Sequence, residues 1–555
     1  MVQEKSRRPA QRVEPPAAAP RALGLGLVAL MLFVSGGSAL VFQVAWMREL
    51  RLVFGATTAA VAAVLAIFMG GLGMGSALLG RRADRTDNPL RMYGRLETAV
   101  ALSVAVSPFL VSLAAKFYFH LGGQESLGLA SATAVRLLLA AAVLGVPTFL
   151  MGGTLPAAVR SITTAGDVRR RALSALYGVN TLGAVCGAYF ATFYALEFLG
   201  TRATLWLGCA MNLLVGVIAI ARSKRLTETH PQDERALAAT NPESPDLRRS
   251  QDSALVYATA AVLGFTFFTL ELVWYRMLAP ILGGTTFTFG LILCIALLGI
   301  GVGGAAYHLV FRWVRPSWSV LALTCAAEAA LAALPLALGD RLALLAGRWY
   351  IGSESFSEVV SGWCGVMSIV VLPVALVSGL QFPLLVALLG QGRAAVSRQL
   401  GTAYAWNTLG AIVGSLVGGF GAMPLLTAPG TWRAVVMMLV VLAAILVVRS
   451  WRTAGRSSLV VGALLLLAVV GLFQEGPTAV WRHSGIGAGR ALVPPADEVN
   501  ATLLWCSEQR RSLIWEAEGI ESSIGITAPD GLAFVVNGKN DGNAIGDAGT
   551  QIGVA

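Results

Sequence analysis

The stretch QVAWMREL at Gln43–Leu50 returns as ELVWYRML at Glu271–Leu278, so that Trp46 and Trp274 are 228 positions apart. Two further blocks repeat in the same order at nearly the same offset: GLGMG at Gly71–Gly75 with GIGVG at Gly299–Gly303, and YGVNTLG at Tyr177–Gly183 with YAWNTLG at Tyr404–Gly410. Three matched blocks in one order indicate a duplicated unit and not a chance similarity. The chain is therefore predicted to contain two copies of one fold.

The composition excludes an ordinary soluble domain. Of the 555 residues, 56% are hydrophobic and only 13% are charged, which leaves too little polar surface to cover a soluble globule. The net charge of +11 comes from basic residues clustered in short segments between apolar runs, where they orient helices, and we expect no nucleic-acid partner. The six Cys show no spacing typical of a disulfide framework or a zinc site. The sequence therefore predicts an integral membrane protein without a metal centre.

Taking about 20 apolar residues per crossing, the sequence divides into membrane and polar segments. We predict a disordered cytoplasmic tail (1–21), a first six-helix repeat (22–221), a polar linker (222–253), a second six-helix repeat (254–448) and a thirteenth helix (459–473). The predicted spans are 22–42, 56–79, 96–115, 134–151, 174–196, 203–221, 254–278, 286–310, 319–338, 360–389, 401–420, 433–448 and 459–473.

The basic residues predict that both repeats enter the membrane from the same side. Arg and Lys follow the second, fourth and sixth spans, at Arg81–Arg95, Arg169–Arg171 and Arg222–Arg225, as the positive-inside bias requires for a cytoplasmic tail. Six helices per unit make the two repeats parallel, related by an axis along the membrane normal. This arrangement resembles the major facilitator superfamily of transporters, and GRRADR at Gly80–Arg85 is similar to that superfamily's loop between the second and third helices.

Polar residues inside the spans are the candidates for a transport path, because a charge at bilayer depth is costly and marks a functional site by default. These candidates are Glu97, Glu271, Glu328, Arg48, Arg276, Asn180 and Asn407. Glu271 stands where the first repeat has Gln43, so only one repeat carries a carboxylate there. Structural roles remain as alternatives: ion pairing for Glu271, snorkelling to headgroups for Arg276, and hydrogen bonds across helix seams for the two Asn residues.

A polar segment, 474–555, follows the last span. Leu513–Ile526 and Leu532–Lys539 alternate like two strands joined by a turn at Ala528–Gly531, which predicts a β-hairpin. Here the chain resembles bacterial membrane proteins in which a transporter-like region is fused to a spermidine synthase-like domain. The matching stretches are EGIESS (Glu518–Ser523), VNGKND (Val536–Asp541) and GDAGTQ (Gly546–Gln551).

The resemblance implies that this segment corresponds to the N-terminal β domain of spermidine synthases. It assigns remnants of polyamine binding to Asn537, Gly538, Asp547 and Gln551, although Ala548 and Gln551 replace a glutamate and a tyrosine of the family's Asp-Glu-x-x-Tyr segment. The chain stops at Ala555, before the nucleotide-binding α/β fold with its glycine-rich loop. We therefore expect no catalytic residue, no cofactor of the S-adenosylmethionine type, and no aminopropyltransferase activity in this truncated form.

The sequence is compatible with three functions. The leading hypothesis is a multi-pass protein of the bacterial inner membrane that transports polyamines or similar small cations. The second is a membrane-anchored aminopropyltransferase whose catalytic part is a separate chain, and the third is a membrane scaffold that does not transport. Thirteen crossings from a cytoplasmic tail would place 474–555 on the opposite side of the membrane, unless the last run does not cross or one predicted span is wrong.

Overall fold

The computed structural model describes most of the chain, with gaps at both ends and between helices. The described residues are 25–54, 58–162, 171–227, 247–284, 286–311, 313–389, 396–450, 457–519, 522–528 and 531–549. The predicted tail (1–21) lies outside them. The fold is helical throughout the membrane region and ends in a small β-sheet.

The first repeat forms one lobe. Its helices are α1 (Leu25–Phe54), α2 (Thr58–Arg85), α3 (Pro89–His120), α4 (Gly123–Gly152), α5 (Thr154–Ile162), α6 (Arg171–Phe190) and α7 (Gly200–Thr227). Between α6 and α7 lie a π-helical turn (Ala191–Ala195) and a short helix (Leu196–Phe198).

The second repeat forms the other lobe. Its helices are α8 (Leu247–Leu282), α9 (Thr286–Val310), α10 (Trp318–Leu338), α11 (Asp340–Ile351), α12 (Phe356–Val370), α13 (Leu372–Leu388), α14 (Val396–Val417) and α15 (Met423–Ser450). A π-helical turn (Gly418–Ala422) lies between α14 and α15, 227 residues after the turn of the first lobe. The further helix α16 (Ser457–Leu472) packs against α10.

The number of crossings agrees with two six-helix repeats and one extra helix. Within the described residues, ten helical segments are long and apolar enough to span a bilayer, or eleven with α12 and α13 as one bent span. One of the ten, Ser397–Ser450, has 54 residues; a straight helix of that length would measure about 80 Å, more than twice the bilayer core. Thr427 (φ 65°) breaks this segment, and its Oγ1 accepts a hydrogen bond from the N–H of Gly430. The segment Ser397–Ser450 therefore provides two crossings.

The structure corrects three boundaries. The predicted span 360–389 is two helices, α12 and α13, bent by 53°, because Pro373 has no N–H with which to continue the helix. The preceding helix α11 was not predicted. The predicted linker 222–253 is helical at both ends, since α7 continues to Thr227 and α8 begins at Leu247; its residues 228–246 lie outside the described part.

Glycines bring helix backbones together inside each lobe. A Cβ on Gly183 of α6 would collide with the carbonyl of Phe33 on α1, and one on Gly410 of α14 would collide with the carbonyl of Ala261 on α8. Small residues allow this approach, which favours helix association where lipid offers no hydrophobic drive. The GxxxG spacings Gly183–Gly187 and Gly410–Gly414 thus lie at matching seams, α1–α6 and α8–α14.

The middle glycine of each GxGxG block instead faces the other lobe. A Cβ on Gly73 of α2 would clash with Thr408 of α14, and one on Gly301 of α9 would press on Leu182 of α6. The outer glycines of the same blocks pack against α4 or α13 of their own lobe. The lobes therefore meet along two seams, α2–α14 and α6–α9, which is the two-lobed arrangement that the repeat predicts.

A further contact between the lobes lies at the start of α14. The carboxylate of Asp84, at the end of α2, accepts hydrogen bonds from the backbone N–H groups of Ser397 (3.3 Å) and Arg398 (2.8 Å). These N–H groups have no partner within the first turn of a helix, and the helix dipole adds attraction for a negative charge. Asp84 of the GRRADR stretch therefore caps a helix of the opposite lobe.

The C-terminal segment contains a four-stranded antiparallel sheet instead of one hairpin. Its strands, in the order β1-β2-β3-β4, are Leu513–Glu518, Ser523–Thr527, Ala533–Val536 and Lys539–Asn543. The predicted first strand, Leu513–Ile526, was wrong: it contains a turn in which the N–H of Gly519 donates to the carbonyl of Ser522. A helix α18 (Val499–Ser512), preceded by the short helix α17 (Ala479–Arg482), leads into the sheet.

Gly410→Ala tests the α8–α14 seam. The added methyl group must displace the backbone of α8, and we expect a loss of about 1–3 kcal/mol in stability. The control is Gly145→Ala in α4, where a Cβ meets nothing within 4 Å and helix propensity favours Ala by up to about 1 kcal/mol. Thermal unfolding of both variants in detergent provides the comparison. Equal midpoints would contradict a close seam.

Candidate functional site: a cavity between the lobes

A cavity of about 230 Å³ lies between the two lobes. Its wall comes from α1, α2, α4, α5, α6 and α7 of the first lobe and from α8, α9, α13 and α14 of the second. Most lining side chains are apolar, with a few polar groups among them, as is typical of small-molecule sites. The duplicated helices therefore enclose a chamber on the axis between the repeats.

Among the described residues that line this wall, Glu271 supplies the only formal charge. It lines the cavity together with Gln43, its counterpart in the first repeat, and the two residues are 6% and 3% exposed. Among the described residues that line the cavity, no other is Asp, Glu, Lys, Arg or His. A buried carboxylate without a cationic partner is unfavourable unless a ligand or a proton neutralises it. The cavity is thus suited to a positive ligand.

Three aromatic rings form another part of the wall. Tyr177 and Phe382 have ring centroids 5.3 Å apart, and Phe382 and Tyr404 have centroids 5.9 Å apart. Tyr177 and Tyr404 are repeat partners, which the matched blocks already revealed, although the sequence did not indicate a role for them. Faces of aromatic rings attract cations. Phe382 had no signal in the sequence.

Asn180 and Asn407 line the cavity and also belong to the helix seams. Asn407 Nδ2 donates to the carbonyl of Ala260 on α8 at 3.0 Å, while Asn180 approaches Gly36 of α1 so closely that a Cβ there would collide with it. Each Asn therefore fixes the position of the helix that forms the cavity wall. Their part in a transport path stays a prediction.

Asn212 is a lining residue that the sequence reasoning missed. It lies on α7, is 2% exposed, and its Oδ1 accepts no hydrogen bond from any described residue. A lone amide inside the apolar run LGCAMNLLVG was the available signal. Because an unpaired buried acceptor is costly, this oxygen is a ready partner for a donor on a bound molecule.

Glu97 and Glu328 lie behind the cavity wall and not on it. Glu97 is fully buried on α3 and accepts a hydrogen bond from Ser35 Oγ at 2.5 Å. Glu328 is fully buried on α10 and accepts one from Gln381 Nε2 at 2.8 Å. Ser35 and Gln381 both line the cavity. Each lobe therefore has one carboxyl group a single hydrogen bond away from the chamber.

The two repeated arginines lie away from the cavity and differ from each other. Arg48 is exposed, and its Nη1 donates to the carbonyl of Leu196 at 3.0 Å. Arg276 is 3% exposed, and its Nη1 donates to Glu518 Oε2 (2.9 Å) and to the carbonyl of Gly519 (3.0 Å). The equivalent residue of the second lobe thus holds the C-terminal segment.

Further ion pairs attach this segment to the second lobe. Arg482 bonds both Glu518 (2.7 Å) and Glu516 (2.8 Å), and His483 Nε2 lies 3.0 Å from Glu516 Oε2. The indole N–H of Trp481 donates to the carbonyl of Met277 on α8. The sheet therefore sits at the C-terminal end of α8. That end is opposite to the start of α14, because α8 and α14 run parallel along their seam.

The residues that the resemblance assigned to polyamine binding make contacts within the fold. Asn537 and Gly538 have φ of 48° and 73° and form the two-residue turn between β3 and β4. Asn537 Oδ1 accepts from the N–H of Ser523, and Gly538 packs against Pro280 of α8. Asp547 accepts from the N–H of Asn543. Gln551 lies outside the described residues.

Comparisons with known proteins add little to this geometry. No protein-family model matches the chain, and no curated protein matches it. Among solved structures, the chain is similar to the crystal structure of the human organic anion transporter MFSD10 (TETRAN). The two share 15% sequence identity with a TM-score of 0.49, over 78% of this chain and 100% of that one. A likeness of this degree says nothing about the substrate of the present chain.

Glu518→Ala tests the attachment of the C-terminal segment. The substitution leaves two arginines without their buried partner, and breaking such a pair costs about 3–5 kcal/mol. Asp541→Ala is the control, because its pair with Lys539 is exposed and worth about 0–1 kcal/mol. We expect faster amide hydrogen exchange in residues 474–549 of Glu518→Ala only. Similar exchange in both variants would mean that other contacts hold the segment.

The same attachment should weaken in acid. The hydrogen bond from His483 and the positive charge of Arg482 lower the pKa of Glu516, against the opposing effect of partial burial. A lowered pKa stabilises the folded form above the ordinary glutamate pKa of about 4.3, and this stabilisation is lost as the pH falls through the native pKa. The protection of 474–549 from hydrogen exchange, measured relative to the intrinsic exchange rate at each pH, should therefore fall below about pH 4. If Glu516→Gln lost its hydrogen-exchange protection at the same pH as the wild type, carboxylates other than Glu516 would be responsible.

Proposed function

We propose that this chain is a membrane transporter for small organic cations, with polyamines as the class that the sequence resemblance favours. The observation that carries the proposal is the cavity, in which Glu271 is the only formal charge among the described lining residues. Charge complementarity selects the sign of a ligand, because a carboxylate attracts an ammonium group and repels an anion.

The other lining groups support the same class of substrate. Tyr177, Phe382 and Tyr404 offer ring faces to a cation, and Asn212 Oδ1 offers an acceptor to an N–H group. Polyamines combine positive nitrogens, N–H donors and apolar methylene segments. A mostly apolar chamber with one carboxylate, aromatic rings and an unpaired amide oxygen matches these three features.

The relation of 474–549 to spermidine synthases is a separate proposal. The four-stranded antiparallel sheet supports a β domain, whereas Asn537, Gly538 and Asp547 are engaged in turns and docking contacts. Aminopropyl transfer would require the nucleotide-binding α/β fold of that family. We also propose that the protein lies in a bacterial inner membrane with its N-terminus in the cytoplasm. Thirteen crossings from that side would place the sheet on the non-cytoplasmic side.

Uptake of labelled spermidine into proteoliposomes containing the full chain tests the transport proposal. Glu271→Gln removes the charge at nearly constant volume, and a charged hydrogen bond of about 1.5–3 kcal/mol corresponds to a loss of roughly tenfold or more. The matched variant is the double substitution Gln43→Glu with Glu271→Gln, which moves the carboxylate to the opposite lobe and should restore part of the uptake.

Labelled succinate serves as the anionic comparison, and Asp541→Asn as the variant that leaves the cavity unchanged. We expect no succinate uptake and full spermidine uptake by Asp541→Asn. Equal uptake of both labels, or undiminished spermidine uptake by Glu271→Gln, would overturn the proposal.

A further inference from the structure

Two fully buried carboxyl groups stand without a counter-ion, one in each lobe. Glu97 on α3 and Glu328 on α10 are 0% exposed. Within the described residues, neither forms an ion pair, and Glu97 Oε2 and Glu328 Oε1 have no hydrogen-bond partner. An ionised carboxylate in such surroundings is far less favourable than a neutral one. Burial without a counter-ion therefore favours the neutral, protonated form of both groups.

The surroundings of the two acids contain few groups that influence their charge. The Ser35 hydroxyl of α1 donates a hydrogen bond to Glu97. The other neighbouring polar group is Tyr93, one turn earlier on α3. Gln381 of α13 acts on Glu328, and Cys325 lies one turn earlier on the same helix. Among the described residues on the helices packed around them, no Lys, Arg, His or Asp adds to these interactions. A charge that changes the protonation of these sites must therefore come from outside their immediate surroundings.

The two acids differ in the side chain that connects each of them to the cavity. Ser35 presents a hydroxyl, which accepts one proton while it gives up another. Gln381 presents a carboxamide, whose Nε2 donates to Glu328 and which neither gains nor loses a proton near neutral pH. A path for protons therefore leads from the cavity to Glu97 and stops before Glu328.

We propose that Glu97 is a proton-exchange site served by Ser35, and that Glu328 is a neutral acid sealed from exchange by Gln381. The inference rests on the proposed function in one respect, since the cation in the cavity drives the exchange. The positive charge of the cation favours ionised Glu97. The Ser35 hydroxyl, which donates to Glu97 Oε1 in this structure, first turns so that its oxygen can accept a proton. The carboxyl O–H bond then breaks, its electron pair stays on the carboxylate, and Ser35 accepts this proton while passing its own to water in the cavity.

This exchange offsets part of the positive charge that enters the chamber. Spermidine carries about three positive charges near neutral pH, and the proton that leaves for the solvent compensates one of them. Reversal of the steps returns the proton to Glu97 when the cation departs. The structure thus assigns the coupling of cation binding to proton release to Glu97, a residue outside the cavity.

Proton counting on the purified full chain tests the coupling. Spermidine is titrated calorimetrically in two buffers of different ionisation enthalpy, and the difference between the heats gives the protons released. We expect about one proton per bound spermidine in the wild type and in Glu328→Gln, and none in Glu97→Gln. Spermidine binding without proton release in the wild type, or loss of release in Glu328→Gln alone, would overturn the inference and leave the proposed function standing.

Infrared spectroscopy tests the same sites without any cation. Neutral carboxyl groups absorb at a C=O frequency distinct from that of carboxylates and shift when the proton is replaced by deuterium. On transfer to D2O at neutral pH, the band lost in Glu97→Gln should shift early and the band lost in Glu328→Gln late. Ser35→Ala should delay the early shift, and Ser35→Thr should restore it. Absence of a neutral band at Glu97, or equal exchange at both sites, would overturn the inference even if spermidine proved not to be a substrate.

Discussion

Close contact between helix backbones at glycine is the constraint on which this structure depends. In a bilayer the side chains of two helices gain nothing by leaving lipid for each other, so association depends on packing and polar contacts. Gly183 and Gly410 provide that packing inside the lobes, and Gly73 and Gly301 provide it between them. Because the same seams carry Asn180 and Asn407 to the cavity wall, the shape of the chamber follows from the absence of side chains at these positions.

Duplication explains the symmetry of the chamber, and a single substitution explains its charge. Tyr177 and Tyr404 are equivalent residues of the two lobes and both line the chamber, yet Gln43 faces the space that Glu271 faces from the other lobe. Two carboxylates in a chamber of about 230 Å³ would repel each other, and one of them would take up a proton. One carboxylate and one amide avoid this repulsion while preserving hydrogen-bonding capacity on both sides. The charge of the chamber, and with it the charge of a ligand that fits, therefore depends on the position where the repeats differ and not on the positions that they share.

The sequence predicted features that depend on local spacing and missed those that depend on distant partners. The repeat predicted two parallel lobes, because an even number of helices in each unit returns the chain to the same side of the membrane. The sequence did not predict the turn after Glu518, since the alternation of apolar residues continues through it. Nothing near Arg276 indicates Glu518, 242 residues away. Ser35 and Gln381 were also missed, because their importance depends on which buried acid each one touches.

The position of Arg276 relative to Glu271 connects the chamber with the C-terminal segment. Five residues along a helix correspond to a rotation of about 140° beyond one full turn, so Glu271 faces the chamber while Arg276 faces the sheet. Any movement of α8 away from the segment would break a buried ion pair, at a cost of about 3–5 kcal/mol. Within the described part of the first lobe, the equivalent residue Arg48 forms no such pair, since it is exposed and donates to the carbonyl of Leu196. We therefore expect the second lobe and the sheet to move as one body, with relative motion of the lobes at the seams α2–α14 and α6–α9.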